Sequence, residues 1–130
     1  MNIGLGATRK TILLVDTDPH ARAVLRNSLE AAGFTVGEAA NAHEGELTTM
    51  RIKPDAVLAD LMMETIDAGS EIAQKLREIG SHIPIYIVST ASDALVGAVG
   101  LRELGISGVF LKPGDPAIII QTLKTRLGLY

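Results

Sequence analysis

The chain has no cysteine and no tryptophan, and only two phenylalanines and two tyrosines. The first absence excludes disulfides and thiol chemistry and fits a reducing compartment. The scarcity of aromatics leaves any core to be built from aliphatic side chains. Positive charge is not in excess: 12 basic residues stand against 15 acidic ones, a net charge of −3, which argues against nucleic acid as the main partner. No stretch approaches the roughly 18 uninterrupted apolar residues of a membrane span. Residues 1–10 lack the apolar centre of a signal peptide and read as a loose N-terminal arm, which makes the cytoplasm the default location. No glycine-rich loop follows the first apolar run, so a nucleotide-binding loop of that kind is not expected.

What the chain does have is 47% hydrophobic residues over 130 positions, enough for one domain, expected over residues 11–130. Short apolar runs alternate with amphipathic stretches. The first run, Thr11 to Val15, ends at Asp16. Asp18-Pro19 then opens a helix, with Asp18 as N-cap and Pro19 at the first helical position. Ala21, Val24, Leu25, Ser28, Leu29 and Ala32 share one face of it, and Gly33 ends it. A weaker strand is expected over Phe34–Glu38, then a helix capped by Asn41 and running to about Arg51, then a strand ending at Asp60. A third helix starts at Asp67 or Ser70 and stops at Gly80. A strand follows through Ser89, and Ser92-Asp93 opens a fourth helix. The fifth strand is expected over Ile106–Leu111, and Asp115-Pro116 repeats the cap-then-proline signal for a last helix through Leu127. Ile118, Ile119 and Ile120 are consecutive, so at least one of them must face outward.

Strands alternating with helices imply an α/β fold with a parallel sheet covered on both faces. In the doubly wound order 2-1-3-4-5, strands 1 and 3 flank the switch point where such folds bind ligands. Asp16 and Asp60 end those strands. A carboxylate at the end of an apolar run is costly unless paired or used. Two carboxylates brought together call for a cation, and Mg²⁺ accepts one or two carboxylates while keeping several waters. Thr90 and Lys112 follow the fourth and fifth apolar runs and add a hydroxyl and an ammonium. A metal, an acceptor carboxylate and donors for anionic oxygens make a phosphoryl-transfer site. His20, His43 and His82 have no metal-ligand spacing and are expected at the surface.

These pieces, Ile12-Leu13-Leu14-Val15-Asp16, Asp55 through Met63, Thr90-Ala91 and Leu111-Lys112-Pro113, together resemble the receiver domains of bacterial two-component response regulators. The resemblance implies a three-layer α-β-α, flavodoxin-like fold and a phosphoacceptor at Asp60, charged by a sensor histidine kinase or a phosphotransfer protein. It implies Mg²⁺ held by Asp16, Asp60 and the backbone carbonyl of Met62, with Thr90 and Lys112 binding the phosphoryl oxygens. Ser89 competes with Thr90: spacing from Asp60 and Lys112 favours Thr90, and counting from Pro84 favours Ser89. Three departures stand out. Thr17 occupies the place of the family's usual second acid, which implies weaker Mg²⁺ binding. Glu64 replaces the usual proline after the acceptor. Val109 holds the position of the aromatic switch residue, and Phe110, one residue on, points to the other face. The family's usual output surface, also a route to a homodimer, is made by helix 4, strand 5 and helix 5. Two other readings compete. One is a phosphorylation-independent docking module on the same fold. The other is a phosphatase of the haloacid-dehalogenase type, in which Asp16-Thr17-Asp18 supplies an Asp-x-Asp motif and Asp16 is the nucleophile.

Overall fold

Apolar runs too short for helices pair side by side, and the described helices pack on the two faces of the sheet they form. The computed structural model describes residues 9–60, 74, 78, 82–89, 106–111 and 115–129. Within these, β1 (Thr11–Val15), α1 (Pro19–Ala31), β2 (Thr35–Ala39), α2 (Ala42–Ile52), β3 (Ala56–Asp60), β4 (Ile85–Ser89), β5 (Gly108–Leu111) and α3 (Pro116–Arg126) succeed one another. The strands form one sheet in the order β2-β1-β3-β4-β5, every pair parallel, as expected for the doubly wound arrangement. The third and fourth helices expected from the sequence lie outside the described residues, apart from Gln74 and Glu78, which are helical.

Strand alternation divides the core. Leu13, Val15, Val57, Ala59, Ile85 and Ile87 pack on the face that receives α2 through Ala42 and Ile52. Ile12, Leu14, Ala56, Leu58 and Tyr86 pack on the opposite face, against Leu29 of α1 and Ile119 and Leu123 of α3. Burial of β1 and β3 on both faces explains why their sequences are continuous apolar runs.

The caps formed where the local chemistry predicted them. Asp18 accepts from His20 N at 2.9 Å, and Asp115 accepts from Ala117 N at 2.9 Å, each with proline at the start of the helix. Asn41 accepts from Glu44 N at 2.8 Å, while Glu44 reaches back to Ala40 N at 3.0 Å. This is a capping box displaced by one residue. At the end of α2, Lys53 adopts φ 48, a left-handed cap, and the following Pro54 disfavours continuing the helix.

Three expectations need correction. Phe34 is not in β2. Gly33 takes φ 102, its N–H bonds Glu30 O at 3.0 Å, and Phe34 N–H bonds Leu29 O at 3.1 Å. That pair of bonds is a Schellman motif, and Phe34 is its hydrophobic anchor, packed with Leu29, so β2 starts at Thr35. Val24 does not join the buried face of α1: it is 51% exposed, because the groove between α1 and α3 that it borders is open. The fifth strand starts at Gly108 rather than Ile106, although Ser107 N–H already bonds Ile85 O at 2.8 Å. Of the three consecutive isoleucines, Ile119 is buried, Ile120 packs at the core margin, and Ile118 is 60% exposed.

Candidate functional site

β1 and β3 are neighbours, with Val15 in register with Ala59. Asp16 follows Val15 and Asp60 follows Ala59, so the register carries the two acids to the same C-terminal edge of the sheet. Both line one pocket of about 270 Å³, whose remaining wall is largely apolar: Leu14 and Leu58 from the sheet, Ala21 and Leu25 from α1, Pro116 and Ile119 from α3. Asp60 is 8% exposed, one of few buried polar side chains among the described residues. A carboxylate so placed has little bulk water to solvate it, which favours a cation or a hydrogen-bond donor beside it.

Asp16 sits in a tightly tied turn. Its N–H bonds Ala39 O at 3.1 Å, its carboxylate accepts from Asp18 N at 2.9 Å, and its carbonyl accepts from Arg22 Nη1. Asp18, the other acid of the turn, is engaged as the N-cap of α1. Thr17 lies exposed between them. No cluster of three or more acidic or histidine side chains suited to a metal occurs among the described residues. Among the described residues the two carboxylates at this edge are the candidate metal ligands, and Mg²⁺ accepts one or two carboxylates while completing its shell with other oxygens.

Sequence reasoning missed the charged group beneath this turn. Arg22 Nε donates to Glu38 Oε1 at 3.0 Å, Arg26 Nη1 donates to Glu38 Oε2, and Arg26 also pairs with Glu30 at 3.3 Å. The hydrogen bond from Arg26, helped by that from Arg22, holds the Glu38 carboxyl below its ordinary range, against the opposing effect of burial. Arg26 is raised in turn, chiefly by its bond to Glu38. A carboxyl lowered in the folded state stabilises the fold above its ordinary value of 4.5, and that stabilisation fades as pH falls from there through the folded-state value. Glu38→Gln should therefore lower the melting temperature near neutrality, and the gap from wild type should close on acidification. Thermal melts of both proteins from about pH 7 to about pH 3 would check this. The only sequence signal for the group was a lone glutamate inside a strand, opposite arginines four residues apart on a helix.

Asp55 was also missed. It accepts from Thr11 N at 2.8 Å and its own N–H bonds Thr11 O at 2.8 Å, pinning the start of β1 to the start of β3.

Met62, Thr90, Lys112, Glu64 and Pro113 lie outside the described residues. Ser89 ends β4: Val88 is in register with Asp60, and Ser89 follows it, in register with Leu111. Val109 packs on the α2 face, and Phe110 packs on the other face, its ring 5.2 Å from that of Tyr86. The alternation expected for these two residues is thus observed. Gly108 makes room for the pair, since a Cβ there would meet the Tyr86 ring at 3.2 Å.

Among the described residues no helix is long and apolar enough to cross a membrane. Residues 12–124 match the family described as the response regulator receiver domain. The chain is 32% identical over 120 residues to the phosphate regulon transcriptional regulatory protein PhoB of Pseudomonas aeruginosa, covering 91% of this chain and 52% of that protein. It is 36% identical over 102 residues to the response regulator MprA of Mycolicibacterium vanbaalenii, covering 78% and 43%. It thus spans about half the length of these curated relatives or less. A receiver domain protein of Methanospirillum hungatei, described as CheY-like, superposes with a TM-score of 0.81 at 24% identity, covering 93% of this chain and 95% of that one, a likeness of fold.

Proposed function

The chain belongs to the receiver domains of two-component response regulators, and from that membership we propose that it is a phosphoacceptor whose Asp60 takes a phosphoryl group from a sensor histidine kinase or a phosphotransfer protein. The observation that carries this is the delivery of Asp16 and Asp60 to one pocket at the switch point of the sheet. An Asp60 carboxylate oxygen forms the new bond to phosphorus, the phosphorus–nitrogen bond of the donor phosphohistidine breaks, and the imidazole leaves with its electron pair. Asp16, Asp60 and the Met62 carbonyl are the residues to hold Mg²⁺, which when bound neutralises charge on the transferring oxygens. Lys112 pairs with one phosphoryl oxygen and a hydroxyl donates to another. Thr90 has the spacing from Asp60 and Lys112 for that hydroxyl, whereas counting from Pro84 favours Ser89. Thr90→Ala and Ser89→Ala, compared for the lifetime of the phosphorylated protein, separate the two.

Acetyl phosphate labelling with and without Mg²⁺, with the modified residue mapped by mass spectrometry, tests the reading as a whole. Mg²⁺-dependent addition of one phosphoryl group at Asp60 is expected, and no label at saturating Mg²⁺ would leave only the phosphorylation-independent docking module. Nothing in the relatives favours that module. The phosphatase reading loses its second acid, because Asp18 caps α1.

Thr17 sets the strength of the metal site. A carboxylate about 4 Å from a unit positive charge gains ~4 kcal/mol at an effective dielectric near 20, before desolvation. A third of that is about tenfold in affinity. Thr17→Asp should therefore tighten Mg²⁺ binding by about tenfold or more, read by titration calorimetry, and lower the Mg²⁺ needed for half-maximal labelling.

The output surface in this reading includes β5 and α3, which continue to present exposed apolar residues in Leu111 and Ile118. Self-association through the face of helix 4, strand 5 and helix 5 on phosphorylation is the partner event this surface suits.

A further inference from the structure

Asp16 lies in a turn that has to hold its shape, because Thr17 beside it brings no second charge to the metal site. The Arg22 side chain, only 16% exposed, spans two elements: Nε reaches Glu38 of β2 and Nη1 reaches the main-chain carbonyl of Asp16. Glu38 is in register with Leu14, two residues before Asp16, so the guanidinium bridges the strand beside β1 and the turn that β1 feeds. A surface ion pair gains little and would not need to reach a backbone carbonyl. The planar fork of arginine can bond in two directions at once, and lysine cannot.

The arrangement carries an electrostatic conflict. A bare guanidinium next to the acidic edge would repel the cation that edge is to hold. Glu38 offsets that charge, and Arg26 secures Glu38 from its other side. The group thus grips the turn while presenting less positive charge to the site than an unpaired arginine would. We propose that Arg22, clamped by Glu38, is a positioning residue for the metal site: it fixes the Asp16 backbone so that the carboxylate meets Mg²⁺ already oriented. This rests on the Mg²⁺-dependent phosphoacceptor reading above. It differs from a purely structural tie between α1 and β2, which would affect melting and leave the affinity of the folded protein for Mg²⁺ alone.

The test uses the full chain, unphosphorylated, with Mg²⁺ titrated by calorimetry and the exchange rate of the Asp18 amide, donor to the Asp16 carboxylate, measured by NMR. Arg22→Met should weaken Mg²⁺ binding by about 10-fold or more, the scale of losses when a partner that orients a metal ligand is removed. It should also speed Asp18 amide exchange. Arg22→Lys, which keeps the charge and loses the fork, should fail to restore either. Glu38→Gln should weaken Mg²⁺ binding as well, by leaving the Arg22 charge uncompensated. It also serves as the probe if Arg22→Met does not fold. Unchanged Mg²⁺ affinity in folded Arg22 variants, with only melting lowered, would overturn the proposal and leave the phosphoacceptor reading intact. Tighter binding in Arg22→Met would overturn it too, showing that repulsion outweighs positioning. Wild-type protein that binds no Mg²⁺ would overturn the metal reading itself, and the proposal with it.

Discussion

Asp60→Asn is expected to abolish labelling by acetyl phosphate completely, with the folded state retained. The substitution is nearly isosteric and keeps an oxygen acceptor, so packing at the end of β3 is unchanged. What it removes is the nucleophile, since an amide oxygen carries no full negative charge and its nitrogen is not basic. It also removes one of the two carboxylates at the edge, so Asp16 is left as the one charged ligand for Mg²⁺ beside the Met62 carbonyl, with a further loss of affinity. Both effects act on the same step, and each 1.36 kcal/mol of lost transition-state stabilisation is about tenfold in rate. Circular dichroism should show the native fold, and mass spectrometry should show no added phosphoryl group. Asp16→Asn provides the contrast: labelling slows and needs more Mg²⁺, but the label that forms maps to Asp60. Label retained in Asp60→Asn and lost in Asp16→Asn would reverse the two roles and revive the Asp-x-Asp phosphatase.

The second large effect is on stability. Phe34 is 1% exposed and is the largest fully buried side chain among the described residues. It fills the core between α1 and the sheet, and its N–H closes the C-terminus of α1 on Leu29. Phe34→Ala deletes a ring from a site where the cap fixes the backbone, so the surroundings have little freedom to collapse into the space. A cost of about 3–5 kcal/mol follows from comparable truncations. Against a total of about 5–15 kcal/mol that is a large fraction. The melting temperature should fall by roughly 10–20 °C for a domain of this size. Urea denaturation monitored by circular dichroism gives the free energy directly. Phe110→Leu is the control, expected to cost far less because Phe110 is only partly buried and keeps most of its volume. A loss below about 1 kcal/mol in Phe34→Ala would mean that the site relaxes and that the Schellman cap does not stiffen it.

Features written within a few residues were legible in advance. Asp18-Pro19, Asn41 and Asp115-Pro116 cap their helices because capping is a matter of two or three consecutive residues. The sheet order was legible for a different reason: strictly alternating strand and helix leaves few ways to cover a parallel sheet, and these bring the ends of β1 and β3 together. Phe34 misled because an aromatic beside Thr35 and Val36 has strand character, and its use as a cap anchor depends on Gly33 turning left-handed. Val24 misled because helical periodicity marks a face without saying whether a neighbour fills it. Arg22 and Glu38 are 16 positions apart, and only the pairing of β2 with β1 makes them partners. Asp55 and Thr11, 44 positions apart, were hidden in the same way. Ser89 and Thr90 were not separable in advance, because local spacing counts that one residue in two ways.

The packing of Tyr86 against Phe110 also has a practical side. With no tryptophan in the chain, tyrosine emission is not drained by energy transfer, and the sequence holds one other tyrosine, Tyr130. In Tyr130→Phe protein, Tyr86 becomes the sole tyrosine and dominates the intrinsic emission, buried on β4 two residues from the strand position in register with Asp60. Its intensity and lifetime then serve as a label-free optical gauge of the β4–β5 contact, readable in stopped flow without attaching a dye.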